Sequence, residues 1–181
     1  MRQHGPWVIH DSTERFKNQF VTVTEDRVTQ PDGSAGTFAT VALNPGVAVL
    51  AIDDRGDVYL TRQFRYAIGA DSVEVVSGAV EVGEEGLDAA KRELREEVGL
   101  AAETWTELGS IDMDTSILRC PVRLFLAQGL SRAGKDPDPS ERITPMTVSY
   151  AEAVSMVHEG AITHAPSCVL LLKAGEYLAQ P

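Results

Sequence analysis

Three glutamates, Glu93, Glu96 and Glu97, fall within one turn's length of the stretch GAVEVGEEGLDAAKRELREEVGL, residues 78–100. Glu81, Glu84, Glu85 and Asp88 precede them in the same stretch. On a helix, like charges three or four residues apart repel by roughly 0.2–0.5 kcal/mol per pair. At about 100° per residue, Leu87, Ala90, Leu94 and Val98 share a sector about 80° wide, an apolar stripe suited to a core. The three glutamates occupy an adjoining sector about 100° wide, with Glu93 and Glu97 stacked at i and i+4. One reading is a solvated charged face whose acids pair with Lys91, Arg92 and Arg95. The position beside the apolar stripe argues otherwise, because carboxylates bordering a core raise one another's pKa unless a cation sits among them. Hard divalent cations take oxygen ligands, and Mg²⁺ is usually bound by a few carboxylates together with substrate phosphate. The chemistry expected here is therefore metal-assisted work on a phosphate.

Other elements must hold this helix in place. Gly99 stands where a C-cap glycine belongs. Upstream, KNQFVTVT (17–24), GVAVLAI (46–52), DVYLTRQF (57–64) and SVEVV (72–76) read as strands. A turn is expected at 30–36, and DDRG (53–56) predicts a hairpin. Downstream, 105–111, 122–130 and 143–148 read as strands, with a Pro- and Asp-rich loop over 131–141. Ser149 and Glu152 form a capping-box pattern for a helix to about His158. Pro166 is suited to open a last helix to about Leu178. Strands and helices mix without regular βαβ alternation, which predicts a mixed α/β sandwich.

The chain has 181 residues, 43% of them hydrophobic, enough for a single core, and a formal net charge of −11. That charge argues against a nucleic-acid or anionic-membrane partner, both of which need a cationic face. No apolar run is long enough to span a bilayer, and the N-terminal residues show no apolar signal core, so a cytoplasmic location is expected. Cys120 and Cys168 sit among apolar neighbours and are expected to be buried and reduced. His158 and His164 are expected at the surface, and Phe64 and Tyr66 in the core.

Residues 78–100 resemble the Nudix hydrolases. Gly78, Glu84, Arg92, Glu93, Leu94, Glu96, Glu97, Gly99 and Leu100 keep every spacing of that family's signature box. The resemblance implies an α/β/α sandwich around a mixed sheet, preceded by antiparallel N-terminal strands. It implies one domain over 1–181, with about 1–42 as N-terminal strands and a dimerisation region, and about 43–181 as the catalytic core. The activity implied is hydrolysis of a nucleoside diphosphate linked to a second moiety, with Mg²⁺ or Mn²⁺. Glu93, Glu96 and Glu97 are then the metal ligands, Arg92 orients them, and Glu84 ligates through water or braces the loop. Gly78 would permit a tight bend before the helix.

The region before the box is similar to that of ADP-ribose pyrophosphatases and related nucleotide-sugar hydrolases. Arg62, Gln63, Phe64 and Arg65 match one group of that subgroup's pattern, and Glu74 and Gly78 match another. The similarity runs from about Trp7 to Tyr177. It implies Arg62, Arg65 and Glu74 as substrate-binding residues and the Ser77 carbonyl as a further metal ligand. The general base is implied to be Glu141, with Glu74 and a box glutamate as alternatives. Trp7 either packs among the N-terminal strands or stacks on a base across a homodimer. Two departures stand out: Val75-Val76-Ser77 replaces Leu-Pro-Ala, and Asp114-Thr115-Ser116 occupies the place of the Ser-Pro-Gly associated with ADP-ribose. The substrate implied is ADP-ribose or a related nucleotide sugar, giving a nucleoside monophosphate and a sugar phosphate. Alternatives are a non-catalytic nucleotide sensor or an enzyme acting on NADH, GDP-mannose or a dNTP.

Overall fold

The computed structural model describes residues 1–134 and 142–180. The chain divides into two compact units. Unit 1 comprises Met1–Pro45 and Asp112–Pro121. It is a five-stranded sheet, β1 (Arg2–His4), β2 (Trp7–Lys17), β3 (Val21–Thr29), β4 (Ala35–Leu43) and, added later in sequence, β9 (Leu118–Arg119). The first four strands pair antiparallel in order, and β9 runs parallel to β4.

The single strand expected over 17–24 is split: Lys17 ends β2, residues 18–20 make a tight turn, and β3 starts at Val21. Asn18 causes the break, because its side-chain oxygen accepts the N–H groups of Phe20 and Val21, each at 2.8 Å. Such local side-chain bonding competes with a strand ladder. The next turn, around Gln30–Ser34, closes with Gly33 at φ 85°, as the Pro-Asp-Gly sequence predicts. Trp7 meets Phe38 edge to face at 5.5 Å between ring centres. Both line a cavity of about 480 Å³ in this unit.

Unit 2 comprises Gly46–Ile111 and Val122–Pro181. Its strands are β5 (Gly46–Ile52), β6 (Asp57–Arg65), β7 (Ala70–Ala79), β8 (Leu100–Asp112), β10 (Pro121–Arg132) and β11 (Thr144–Ser149). They form a sheet in the order β11-β6-β7-β5-β10-β8. The sheet is mixed, with β5 parallel to β10 and antiparallel to β7. Among the described residues three helices accompany it, α1 (Gly86–Val98), α2 (Tyr150–His158) and α3 (Ala165–Leu178).

Strand β5 is buried along almost its whole length, because it is covered on both faces. Val47, Val49 and Ala51 pack with Val76, Phe125 and the α1 residues Ala89, Ala90 and Leu94. The alternate residues Ala48, Leu50 and Ile52 point to the opposite face, and α3 packs on the same strand with Leu170, Leu171 and Ala174 buried. This is the expected α/β/α sandwich. Leu87 and Val98 border the core rather than fill it, while Ala89, outside that stripe, is fully buried. Ser149 caps α2 by accepting the Glu152 N–H at 3.2 Å.

Phe64 and Tyr66 depart from expectation, since both are exposed on the β6–β7 hairpin. Alternation places Phe64 on the solvent side of β6, and Tyr66 lies beyond its end. The two cysteines are free and half-buried, with Cys120 Sγ near the Asn44 carbonyl and Cys168 Sγ near that of Ile162. Burial is partial for both because Cys120 stands between two strands and Cys168 on the first turn of α3.

Candidate active site

Helix α1 begins after the loop that follows β7 and ends at Gly99, whose φ of 71° lets its N–H bond back to the Arg95 carbonyl. A left-handed glycine is the usual way to satisfy the last helical carbonyls. Asp88 in the first turn and Arg95 in the last both suit the helix dipole. These features fix where the acidic face points.

That face lies against β7. Glu93 and Glu97 are buried carboxylates, at 9% and 3% exposure. Glu97 Oε2 accepts the Ser77 N–H at 3.3 Å. A Cβ on Gly78 would lie 1.9 Å from Glu93 Oε1, so the carboxyl group occupies the space that any other residue would fill. Gly78 therefore serves close approach of strand and helix, and its φ is not among the positive ones.

Arg92 is where the acids converge. Its Nε and Nη2 donate to the two oxygens of Glu84, each at 3.0 Å. Its Nη1 donates to Glu93 at 2.7 Å and Glu96 at 3.1 Å, and Nη2 also reaches the Ala79 carbonyl at 3.0 Å. The forked Glu84 pair is the main reason the guanidinium holds its proton even more tightly than usual, with Glu93 and Glu96 adding to it against the effect of burial. In return, Arg92 holds the Glu84 carboxyl below its ordinary range. Glu84 also accepts the Glu81 N–H at 3.0 Å, so it braces the loop before the helix.

A second cluster forms around Glu74 in β7. Arg65, at the end of β6, donates Nε and Nη2 to the two Glu74 oxygens, the first at 2.8 Å. Ser77 Oγ approaches the same carboxylate at 3.4 Å. His164 Nδ1 lies 3.3 Å from Glu74 Oε2 and 2.8 Å from Ser167 Oγ. Burial pushes the Glu74 pKa up, but the Arg65 fork, His164 and Ser72 more than offset this and hold it below its ordinary value. The His164 imidazole is held below its ordinary range, chiefly by burial, with Glu74 pulling the other way.

His164 thus corrects the expectation of a surface histidine. Its place just before α3 tucks the ring under β7, whereas His158 at the end of α2 is exposed as expected. Neither His164 nor Ser167 was legible as a partner of Glu74, because they come from distant sequence; the only local sign was a histidine preceding a helix-opening proline. Arg62 lies on β6 opposite Val73 and Thr144 with its side chain exposed. Glu141 lies outside the described residues.

The donor set suits a hard divalent cation. Three carboxylates, Glu84, Glu93 and Glu96, bond one guanidinium, and buried Glu97 on the same helix adds a fourth negative charge, so formal charge leaves the set negative. Among the described residues no three His, Cys, Asp or Glu side chains are already gathered as a metal cage. Arg92 accounts for this, since Glu84, Glu93 and Glu96 all turn oxygens toward it.

Comparison with known proteins gives the family. Residues 42–165 match the NUDIX domain model. The chain belongs to the NUDIX family. This Nudix hydrolase is 36% identical over 143 residues to an ADP-ribose pyrophosphatase of Mycobacterium tuberculosis, covering 77% of this chain and 69% of the relative. It is 31% identical over 144 residues to an ADP-ribose pyrophosphatase of Bacillus subtilis, covering 78% of each. It is also 29% identical over 151 residues to a methanol dehydrogenase activator of Bacillus methanolicus, covering 81% of this chain and 80% of that one. A crystal structure of an ADP compounds hydrolase superposes with a TM-score of 0.83 at 20% identity, covering 98% of this chain and 97% of the other, which establishes the fold.

Proposed function

We propose that this Nudix hydrolase cleaves the pyrophosphate bond of a nucleoside diphosphate linked to a second moiety, ADP-ribose or a related nucleotide sugar. Water attacks one phosphorus, the bridging P–O bond breaks, and the products are a nucleoside monophosphate and a sugar phosphate. The observation that carries the reading is the buried pair Glu93 and Glu97 against Ser77 and Gly78, with Arg92 tying Glu93 to Glu84 and Glu96. Two relatives, identical to this chain at 36% and 31% of the aligned residues, are named ADP-ribose pyrophosphatase.

Glu93, Glu96, Glu97 and the Ser77 carbonyl would hold Mg²⁺ or Mn²⁺, whose positive charge, when bound, screens the diphosphate oxygens from an attacking water. Arg92 orients Glu93 and Glu96, and Glu84 keeps Arg92 in place. Arg65 is over a third exposed, so its guanidinium can meet a phosphate or ribose while Glu74 fixes its plane. Arg62 is exposed on the same strand and is assigned the same role. Glu74 is already committed to Arg65 and held ionised, so it serves better as a brace than as a base. That leaves Glu141 or a box glutamate to accept the proton of the attacking water. The homodimer implied by the resemblance remains part of this proposal, and sedimentation of the whole chain tests it.

The deciding experiment is a panel of ADP-ribose, GDP-mannose, ADP-glucose, NADH and dGTP with Mg²⁺, read by product identity. Release of a nucleoside monophosphate from one of the nucleotide sugars is expected. Tight binding of a panel member with no product would favour a nucleotide sensor instead, and turnover of dGTP alone would move the substrate class to triphosphates.

A further inference from the structure

We propose that His164 is a positioning residue that fixes the Glu74–Arg65 pair for substrate through an Nδ1–H held between Glu74 and Ser167. The inference rests on the substrate contact proposed above for Arg65.

The geometry begins with Ser167, which is fully buried in the first turn of α3. Its Oγ accepts the Val75 N–H at 2.9 Å, so this hydroxyl is pinned to the backbone of β7. His164 Nδ1 lies 2.8 Å from that Oγ and 3.3 Å from Glu74 Oε2. Two tautomers of the ring are available. A bare Nδ1 could accept the Ser167 O–H at 2.8 Å, but its lone pair would also face the ionised Glu74 carboxylate at 3.3 Å and be repelled. A proton on Nδ1 bonds the Ser167 oxygen and turns the Glu74 contact into electrostatic attraction. The charge on Glu74 therefore tips the ring toward the Nδ1–H form.

Glu74 has little freedom of its own, with only 2% of its side chain exposed. Its Oε1 takes Arg65 Nε, while Oε2 is shared by Arg65 Nη2, Ser77 Oγ and His164. The fork ties the carboxylate to Arg65, whose own side chain is over a third exposed and can swing together with it. The contact from His164 comes from a different element, the start of α3, and ties the pair to that helix as well. The consequence passes to Arg65, whose plane follows the carboxylate that it grips. His164 does not stand among the proposed metal ligands, so its effect belongs to substrate binding rather than to the chemical step.

Three variants separate this role from simple packing. An Asn side-chain amide nitrogen sits the same number of bonds from Cα as Nδ1, whereas a Gln nitrogen reaches toward the Nε2 position. His164→Ala and His164→Gln are expected to raise KM about tenfold, the usual weight of one hydrogen bond to a charged group, with kcat within about twofold of the wild type. His164→Asn is expected to keep KM within about twofold. The substrate is the panel member that the wild type turns over best. Should His164→Ala not fold, the contrast between Asn and Gln decides. An unchanged KM in Gln, an Asn variant as weak as Gln, or a loss confined to kcat would overturn the assignment.

A second readout does not depend on turnover. Long-range proton–nitrogen NMR of the wild type in mildly alkaline buffer is expected to show His164 protonated at Nδ1. An Nε2–H ring would overturn this inference alone. Wild-type protein inert toward every panel member would overturn the proposed reaction, and the NMR result would still decide whether His164 holds Glu74.

Discussion

A single methyl group is a severe test at Gly78. The space it would need is already taken by Glu93 Oε1, so Gly78→Ala must displace the carboxylate or open the gap between β7 and α1. Overpacking of this kind costs about 1–3 kcal/mol, and turnover should fall further than stability because the displaced group is a proposed ligand. Denaturant unfolding and kcat measured on the same preparation check both. Glu97→Gln makes the complementary change, keeping size while removing charge. The amide can still accept the Ser77 N–H, so the fold should persist while kcat drops on the order of 100-fold or more. Full turnover of Glu97→Gln at low Mg²⁺ would show that Glu97 is no ligand.

At the scale of one element, α1 is held by its buried stripe and by its cap. Leu94 is fully buried between Ala89, Ala90 and the β5 face. Leu94→Ala should cost about 2–5 kcal/mol, since it removes the side chain and leaves a cavity. Gly99 at φ 71° tolerates a side chain poorly, and Gly99→Ala should cost about 1–2 kcal/mol. Urea titrations should rank the two in that order; the reverse would mean that the cap, not the core, anchors the acidic face. The sequence already displayed both features, because a 3.6-residue period and a terminal glycine are local properties. It did not show that Ala89 is more buried than Leu87 and Val98. That difference depends on how closely the helix approaches the sheet, and the small residues Gly86, Ala89 and Ala90 set the distance.

Across the whole molecule, the shifted groups predict one direction of pH dependence. Glu74, Glu84 and Glu107 all have folded pKa values below their ordinary ones, as do Asp32, Asp53 and Asp114. Such carboxylates stabilise the fold above the ordinary carboxylate range, and that stability is lost as pH falls through their folded values. His164 is also shifted down, so the unfolded chain takes its proton first, and stability declines as pH falls below about 6.5 toward the folded value. Thermal melts should therefore show a shallow fall starting just below neutrality and a steeper one in the acid range. His164→Asn should erase the shallow limb and leave the steep one; a limb that persists in this variant would show that another group titrates there.

The amino-acid sequence by itself determined the family, the class of fold, the acidic helix and the turns, because periodicity, caps and the spacing of Gly78 to Leu100 are written within a few residues of one another. Even so, it misread Asn18 as strand and placed Phe64 and Tyr66 inside. Only the tertiary structure decided that Arg92 draws Glu84, Glu93 and Glu96 together, that Glu93 fills the space at Gly78, and that His164 and Ser167 reach Glu74 from the start of α3. Contacts between side chains 90 residues apart in the chain arise from which faces of a sheet two helices cover, and no local pattern encodes that pairing.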